Sequence, residues 1–108
     1  MVNTEKKYSR DLRYNNWHRT ALPNWCYCTD VDFLEVRYVN GEMKIVAIIE
    51  TKSGYSRLSD FQESVFEQLS KQSGIPWYVV RHNESMTDFE VNGKRMNEGE
   101  YITWIKSL

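Results

Sequence analysis

The hydrophobic residues of this chain gather in two adjoining runs, 31–39 (VDFLEVRYV) and 43–52 (MKIVAIIETK), followed by a stripe of helical spacing. Both runs are rich in β-branched and aromatic residues and read as strands. Asn40-Gly41 lies between them, the strongest short-range signal for a hairpin. The second run is apolar on both faces through Ile45, Val46, Ala47, Ile48 and Ile49, as a strand covered on both sides should be. Over 59–73 the period changes to that of a helix. Ser59 and Gln62 stand at capping-box spacing, Leu58, Phe61, Val65 and Leu69 fall on one face, and Gly74 with Pro76 ends the segment. Trp77-Tyr78-Val79-Val80 reads as a further buried strand, and a strand–helix–strand order makes it parallel to the run ending at Lys52.

The flanks are weaker. Residues 4–16 predict a short helix, with Tyr8 and Leu12 four apart. Residues 17–29 hold Trp17, Pro23, Trp25 and Tyr27 and read as an aromatic loop or irregular strand. The tail predicts a strand near Phe89–Val91, a turn at Asn92-Gly93 and a terminal helix over Tyr101–Ile105. No repeat, low-complexity stretch or linker appears, so the expectation is one α/β domain over 1–108, a mixed sheet flanked by helices in the order αβββαβ or close to it.

Size and composition agree with that picture. The chain has 108 residues, 41% hydrophobic and 27% charged, which is the profile of an ordinary globular domain. No apolar run approaches the roughly 18–20 residues of a membrane span, and the basic N-terminal stretch is not followed by an apolar signal segment. A soluble, cytoplasmic protein is the expectation. Cys26 and Cys28 are one residue apart and, on an extended chain, point to opposite faces. That disfavours a bridge between them, and a zinc site would need further ligands, for which only His18 and His82 are available as histidines, so two half-buried thiols are the expectation.

Charge changes the picture more. The formal total is −1, yet residues 1–19 carry Lys6, Lys7, Arg10, Arg13 and Arg19 against Glu5 and Asp11, leaving the rest at −4. A basic flank beside an acidic pocket suits a protein that holds a polyphosphate and cations together, although a solvated terminal helix gives the same count.

The candidate chemistry sits where the second apolar strand ends in Glu50-Thr51-Lys52 rather than in turn formers. Side chains alternate along a strand, so Glu50 and Lys52 share a face and Thr51 points away. A carboxylate that can hold Mg²⁺ beside an ammonium near an attacking water suits phosphodiester hydrolysis. Asp30 and Asp32 lie at the open end of the neighbouring strand. A strict two-residue turn at Asn40-Gly41 would pair Val31 with Glu50 and turn both aspartates to the other face. A three-residue turn with Gly41 as a bulge would set Asp30 opposite Glu50 and keep Asp32 on that face. The second register stacks Leu34, Val36 and Tyr38 beside Val46 and Ile48, and is the one expected.

With these residues in view, the chain resembles the PD-(D/E)xK nuclease superfamily. The matching features are Asp32, Glu50-Thr51-Lys52 eighteen residues on, the hairpin between them and the amphipathic helix after. The stretch IIETKSGYSRLSDFQESVFEQLSKQSGIPWYVVRH is similar to small VRR-NUC-type domains, and archaeal Holliday-junction resolvases are similar in size and order of elements. The resemblance covers about residues 30–82. It lacks a proline just before the aspartate and offers two aspartates, which leaves the ligand set open. The resemblance implies a restriction-endonuclease-like core and a Mg²⁺-dependent DNA endonuclease, with Mn²⁺ as substitute, structure-specific or weakly sequence-specific, leaving 5′-phosphate and 3′-hydroxyl ends. Asp32 would be the first metal-binding carboxylate with Asp30 in reserve, Glu50 the second, and the carbonyl of Thr51 a backbone ligand. Lys52 would act on the water or the pentavalent phosphorus, and Gln62 on the lysine, the water or a phosphate.

Lys6, Arg10, Arg13, Arg19 and Arg57 are the candidate DNA contacts. A homodimer would supply two sites for two strands. Each role has a structural rival. Glu50 and Lys52 could be a strand-end ion pair, Asp30 and Asp32 turn caps, and Gln62 only half of a capping box with Ser59. Glu35 reads as structural, near Arg37. The competing function is a catalytically inactive nuclease-fold module that binds a protein or nucleic-acid partner, and a ribonuclease would share the same site residues.

Overall fold

A computed structural model describes residues 12–54 and 56–108. By its internal contacts the chain divides into two compact units, Met1–Asp30 and Val31–Leu108. No described helix is long and apolar enough to cross a membrane.

In the first unit the described residues form helix α1, Arg13–Ala21. The helix predicted over 4–16 therefore runs later than expected where it can be seen, and residues 4–11 lie outside the described residues. Its end is set by Pro23 rather than by the aromatic composition of 17–29. Proline crowds the residue before it out of the helical region, and Leu22 is accordingly extended at φ −109 and ψ 156. Tyr14 packs on Trp17 and His18, three and four residues on, with ring centroids 5.7 and 6.1 Å away. Cys26 and Cys28 carry free thiols.

The second unit holds β1 (Phe33–Val39), β2 (Glu42–Ser53), α2 (Asp60–Ser73), β3 (Trp77–His82), β4 (Asp88–Val91), β5 (Lys94–Asn97) and α3 (Glu98–Lys106). One five-stranded sheet runs in the order β1-β2-β3-β4-β5. β2 and β3 are parallel, joined through α2, and the other neighbours are antiparallel. This is an α/β fold with a mixed sheet, as expected, but the order αβββαβ is not. Among the described residues the chain runs αββαβββα, because the turn at Asn92-Gly93 opens a further hairpin, β4–β5. Its return strand β5 (KRMN) offers only Met96 to the interior, so hydrophobic alternation could not reveal it.

Alternation separates the two faces of the sheet. On one, Ala47, Ile49, Val80, Phe89 and Val91 form a buried cluster with Tyr78, Met96, Tyr101 and Trp104 packed against it, so α3 covers this face. Phe89 and Tyr101 stack at 4.1 Å and 7°. Arg37 pairs with Glu35 at 2.8 Å and donates to the carbonyl of Ile105, one of the last carbonyls of α3. Glu35 is thus structural, as read from sequence. Burial and the charge of Glu35 push the Tyr101 hydroxyl up from its ordinary value of 10.0. On the other face Phe66 of α2 stacks on Trp77 at 5.4 Å and 21°. The buried side of α2 is centred on Phe66, one position from the predicted stripe, and Phe61 is exposed. That shift puts Gln62, one turn before Phe66, over the sheet.

The hairpin corrects the expected register. Asn40 and Gly41 both have positive φ, 54 and 81, and form a strict two-residue turn closed by Val39 opposite Glu42. The extra residue lies mid-strand instead. Val36 faces Ile45 and Glu35 faces Ala47, so Val46 is bulged out and every pairing beyond it moves by one. The last pair is Phe33 with Ile49, which puts Asp32, not Asp30, in step with Glu50. Asp30 falls in the first unit.

Candidate active site

Glu50 leaves the centre of the sheet on the face of α2, and only 4% of it reaches solvent. It is the one buried charged residue among those described. Its position follows from the sequence: β2 is the longest strand, flanked by β1 and β3, so a polar residue near its end is enclosed from both sides.

Asp32, just before β1, sits against it. One Asp32 oxygen, Oδ2, accepts from the Thr51 backbone N–H at 3.0 Å and from the Thr51 hydroxyl at 3.1 Å. Burial chiefly, then the charge of Asp32, raises Glu50 above the ordinary 4.5, and a hydrogen-bond contact with Asp32 acts the same way. Lys52 acts against these influences. Its ammonium lies 3.5 Å from Glu50 Oε2 and donates to Gln62 Oε1 at 3.4 Å. With its side chain only 18% exposed, the lysine is held between the two rather than waving in solvent.

Gln62 is fixed by the start of α2. The Ser59 hydroxyl accepts from Gln62 N at 3.1 Å, and the Ser59 backbone N–H donates to Gln62 Oε1 at 3.3 Å. Both halves of the capping box are present. One amide oxygen therefore serves the helix cap and Lys52 together, so the two sequence readings of Gln62 are not alternatives. Replacing Ser59 with alanine should lower stability by about 1 kcal/mol in denaturant titration, the usual cost of losing such a cap.

The residues predicted from sequence thus separate cleanly. Asp32, Glu50, Thr51, Lys52 and Gln62 come together at one end of the sheet. Arg57 is exposed on the connection from β2 to α2. Arg13 and Arg19 lie on α1 of the first unit, and Lys6 and Arg10 lie outside the described residues.

Two contributors were not singled out from sequence. The side chain of Thr51 anchors Asp32, although strand alternation turned it away from the site. The signal was its position beside a strand end, where a hydroxyl can reach around the last ladder pair. Arg81 stands beside Lys52 in the parallel ladder. Its guanidinium donates to the carbonyls of Gly54 and Ser56 and lies 4.0 Å from Glu90. It ties Gly54 and Ser56 of the connection after β2 to β3. No cluster of three or more His, Cys, Asp or Glu residues able to hold a metal occurs among the described residues.

The fold and this cluster define an α/β protein with paired carboxyl groups and a lysine at the end of a mixed sheet. Comparison of the chain with protein-family models, curated proteins and solved structures finds no match.

Proposed function

We propose that the chain is a metal-dependent nuclease of the PD-(D/E)xK type, hydrolysing phosphodiester bonds of DNA at Asp32, Glu50 and Lys52 on a restriction-endonuclease-like core. The observation that carries the reading is the enclosure of the Glu50 carboxyl against that of Asp32. Two carboxylates side by side, one of them out of water, repel unless a proton or a cation sits between them.

The donors suit a hard cation. Asp32 and Glu50 supply carboxylate oxygens, and there is no histidine or thiol among them. The Thr51 N–H faces Asp32, and in a strand the carbonyl of a residue points to the same side as its N–H, so a third oxygen is directed there. Mg²⁺ needs no more, since it keeps several waters and uses one or two carboxylates, and Mn²⁺ accepts the same oxygens. When bound, such an ion neutralises phosphate charge and acidifies water.

The protein's own groups do the rest. Thr51 fixes the rotamer of Asp32. Glu50, buried, needs little reorganisation to meet positive charge. Lys52, steered by Gln62, offers its ammonium to the negative charge that develops on the phosphoryl oxygens. Arg57 on its exposed loop is the phosphate contact of this unit, and Lys6, Arg10, Arg13 and Arg19 are the further candidates. Structure-specific or weakly specific cleavage is the mode expected of the chain.

The test uses purified protein with junction, flap, single-stranded and duplex DNA, with Mg²⁺ or with a chelator. Cleavage should require the cation. Asp32→Asn should lower it by roughly 10²-fold, the loss of one charged ligand, while its amide oxygen still accepts from Thr51 and keeps the local structure. Binding of DNA without cleavage of any substrate by the wild type would overturn the reading in favour of an inactive module.

A further inference from the structure

The two edges of the sheet are built differently. β5 is four residues long and carries Lys94 and Arg95, the short, charged design that keeps an edge from pairing. β1 is seven residues long, contains no lysine or proline, and leaves Phe33, Leu34, Val36, Tyr38 and Val39 exposed. Among the described residues no strand pairs with its outer side. Alternate residues of an edge strand turn N–H and C=O groups outward, so β1 offers a row of unused backbone bonds flanked by apolar side chains.

We propose that this edge pairs with β1 of a second copy of the chain, antiparallel about Val36, to make a ten-stranded sheet with α2 on the same face in both copies. The side chains choose both the occupant and the register. Antiparallel copies related by a two-fold axis keep their faces aligned only when residues of like parity stand opposite one another. Centring on Glu35 or on Arg37 meets like charge with like charge at the axis. Centring on Val36 sets Glu35 opposite the second copy's Arg37 and Leu34 opposite its Tyr38, with Phe33 opposite Val39. Opposite charges and apolar pairs are the combinations that stabilise cross-strand neighbours. The isologous contact closes on itself, so it yields a dimer rather than a filament.

The same register brings the Asn40 turn of one copy opposite Asp32 of the other and sets the two acidic sites roughly 27 Å apart along the strands, at about 3.4 Å per residue. The pairing does not depend on the hydrolase reading, because its measure is mass rather than cleavage.

Sedimentation of the full chain should give a mass near twice 12.9 kDa. Val36→Lys should sediment as a monomer. Tyr38→Lys, at a side chain 76% exposed and free of any packing burden, should do the same if the first variant fails to fold. Ile102→Lys, on an exposed position of α3, should remain a dimer. In a Cys26→Ser, Cys28→Ser background, a short bismaleimide should join Val36→Cys to its copy and leave Val39→Cys unlinked. A monomeric wild type, a dimer that survives both lysines, or linkage through position 39 and not 36 overturns the proposal.

Discussion

On the proposed reading, Glu50→Gln should lower Mg²⁺-dependent DNA cleavage by roughly 10²–10³-fold and, in the metal-free protein at neutral pH, should raise the melting temperature. The two effects have one cause. Glutamine keeps the shape of the side chain but removes a negative charge that is buried against Asp32. Losing the charge would take away one of the two proposed cation ligands, an effect of several kcal/mol in the transition state. It also removes the repulsion and desolvation that the folded state bears.

The pH dependence follows from the sign. Burial and Asp32 raise Glu50 above 4.5, so the folded chain binds its proton more tightly than the unfolded chain does. Stability from this group is fully present below the ordinary carboxylate value and is lost as pH rises through the raised one. The gap in melting temperature between Glu50→Gln and wild type should therefore be largest above that window and narrow as pH falls towards 4.5. Mg²⁺ should raise the wild-type melting temperature and leave that of Glu50→Gln unmoved. A variant that melts lower than wild type at neutral pH, or one that cleaves normally, would show that Glu50 is an ordinary strand-end acid.

Much of this was written in local patterns. The strands through Phe33–Val39 and Glu42–Ser53, the helix begun at Ser59 and the parallel strand from Trp77 each carry period, cap or turn residues that act over a few positions. Glu50 and Lys52 were legible for the same reason, since alternation alone puts them on one face. What could not be read is the bulge at Val46. Nothing about one valine beside isoleucines and an alanine marks which residue the ladder will skip, because the choice depends on packing from both sheet faces. Sequence reasoning reached the right face for Asp32 through a bulge at the wrong place, Gly41, and so overvalued Asp30. β5 escaped because its stability comes from its turn and one methionine, not from alternation. The edge chemistry of β1 was visible as letters, but only the strand order revealed that it is an edge.

Phe66→Ala should cost about 3–5 kcal/mol in equilibrium denaturation, the range for deleting a buried aromatic ring. At 1% exposure Phe66 is the largest fully buried side chain among the described residues, and it is stacked on Trp77 beneath α2. Truncation leaves a cavity that the rigid sheet cannot close. For a unit of this size each kcal/mol shifts melting by roughly 4–8 °C, so the midpoint should fall by at least about 12 °C. Phe61→Ala, one and a half turns away and 44% exposed, should cost under about 1 kcal/mol, although the sequence pattern ranked it as core. The consequence reaches the site. Gln62 precedes Phe66 by one turn, and its grip on Lys52 depends on α2 lying flat against the sheet. Phe66→Ala should therefore depress cleavage even at temperatures where the protein stays folded, and Phe66→Leu, which refills most of the volume, should restore much of it. Equal activity in the alanine and leucine variants would mean that Gln62 is held by its capping box with Ser59 alone. The packing beneath α2 would then bear on stability and not on the position of Lys52.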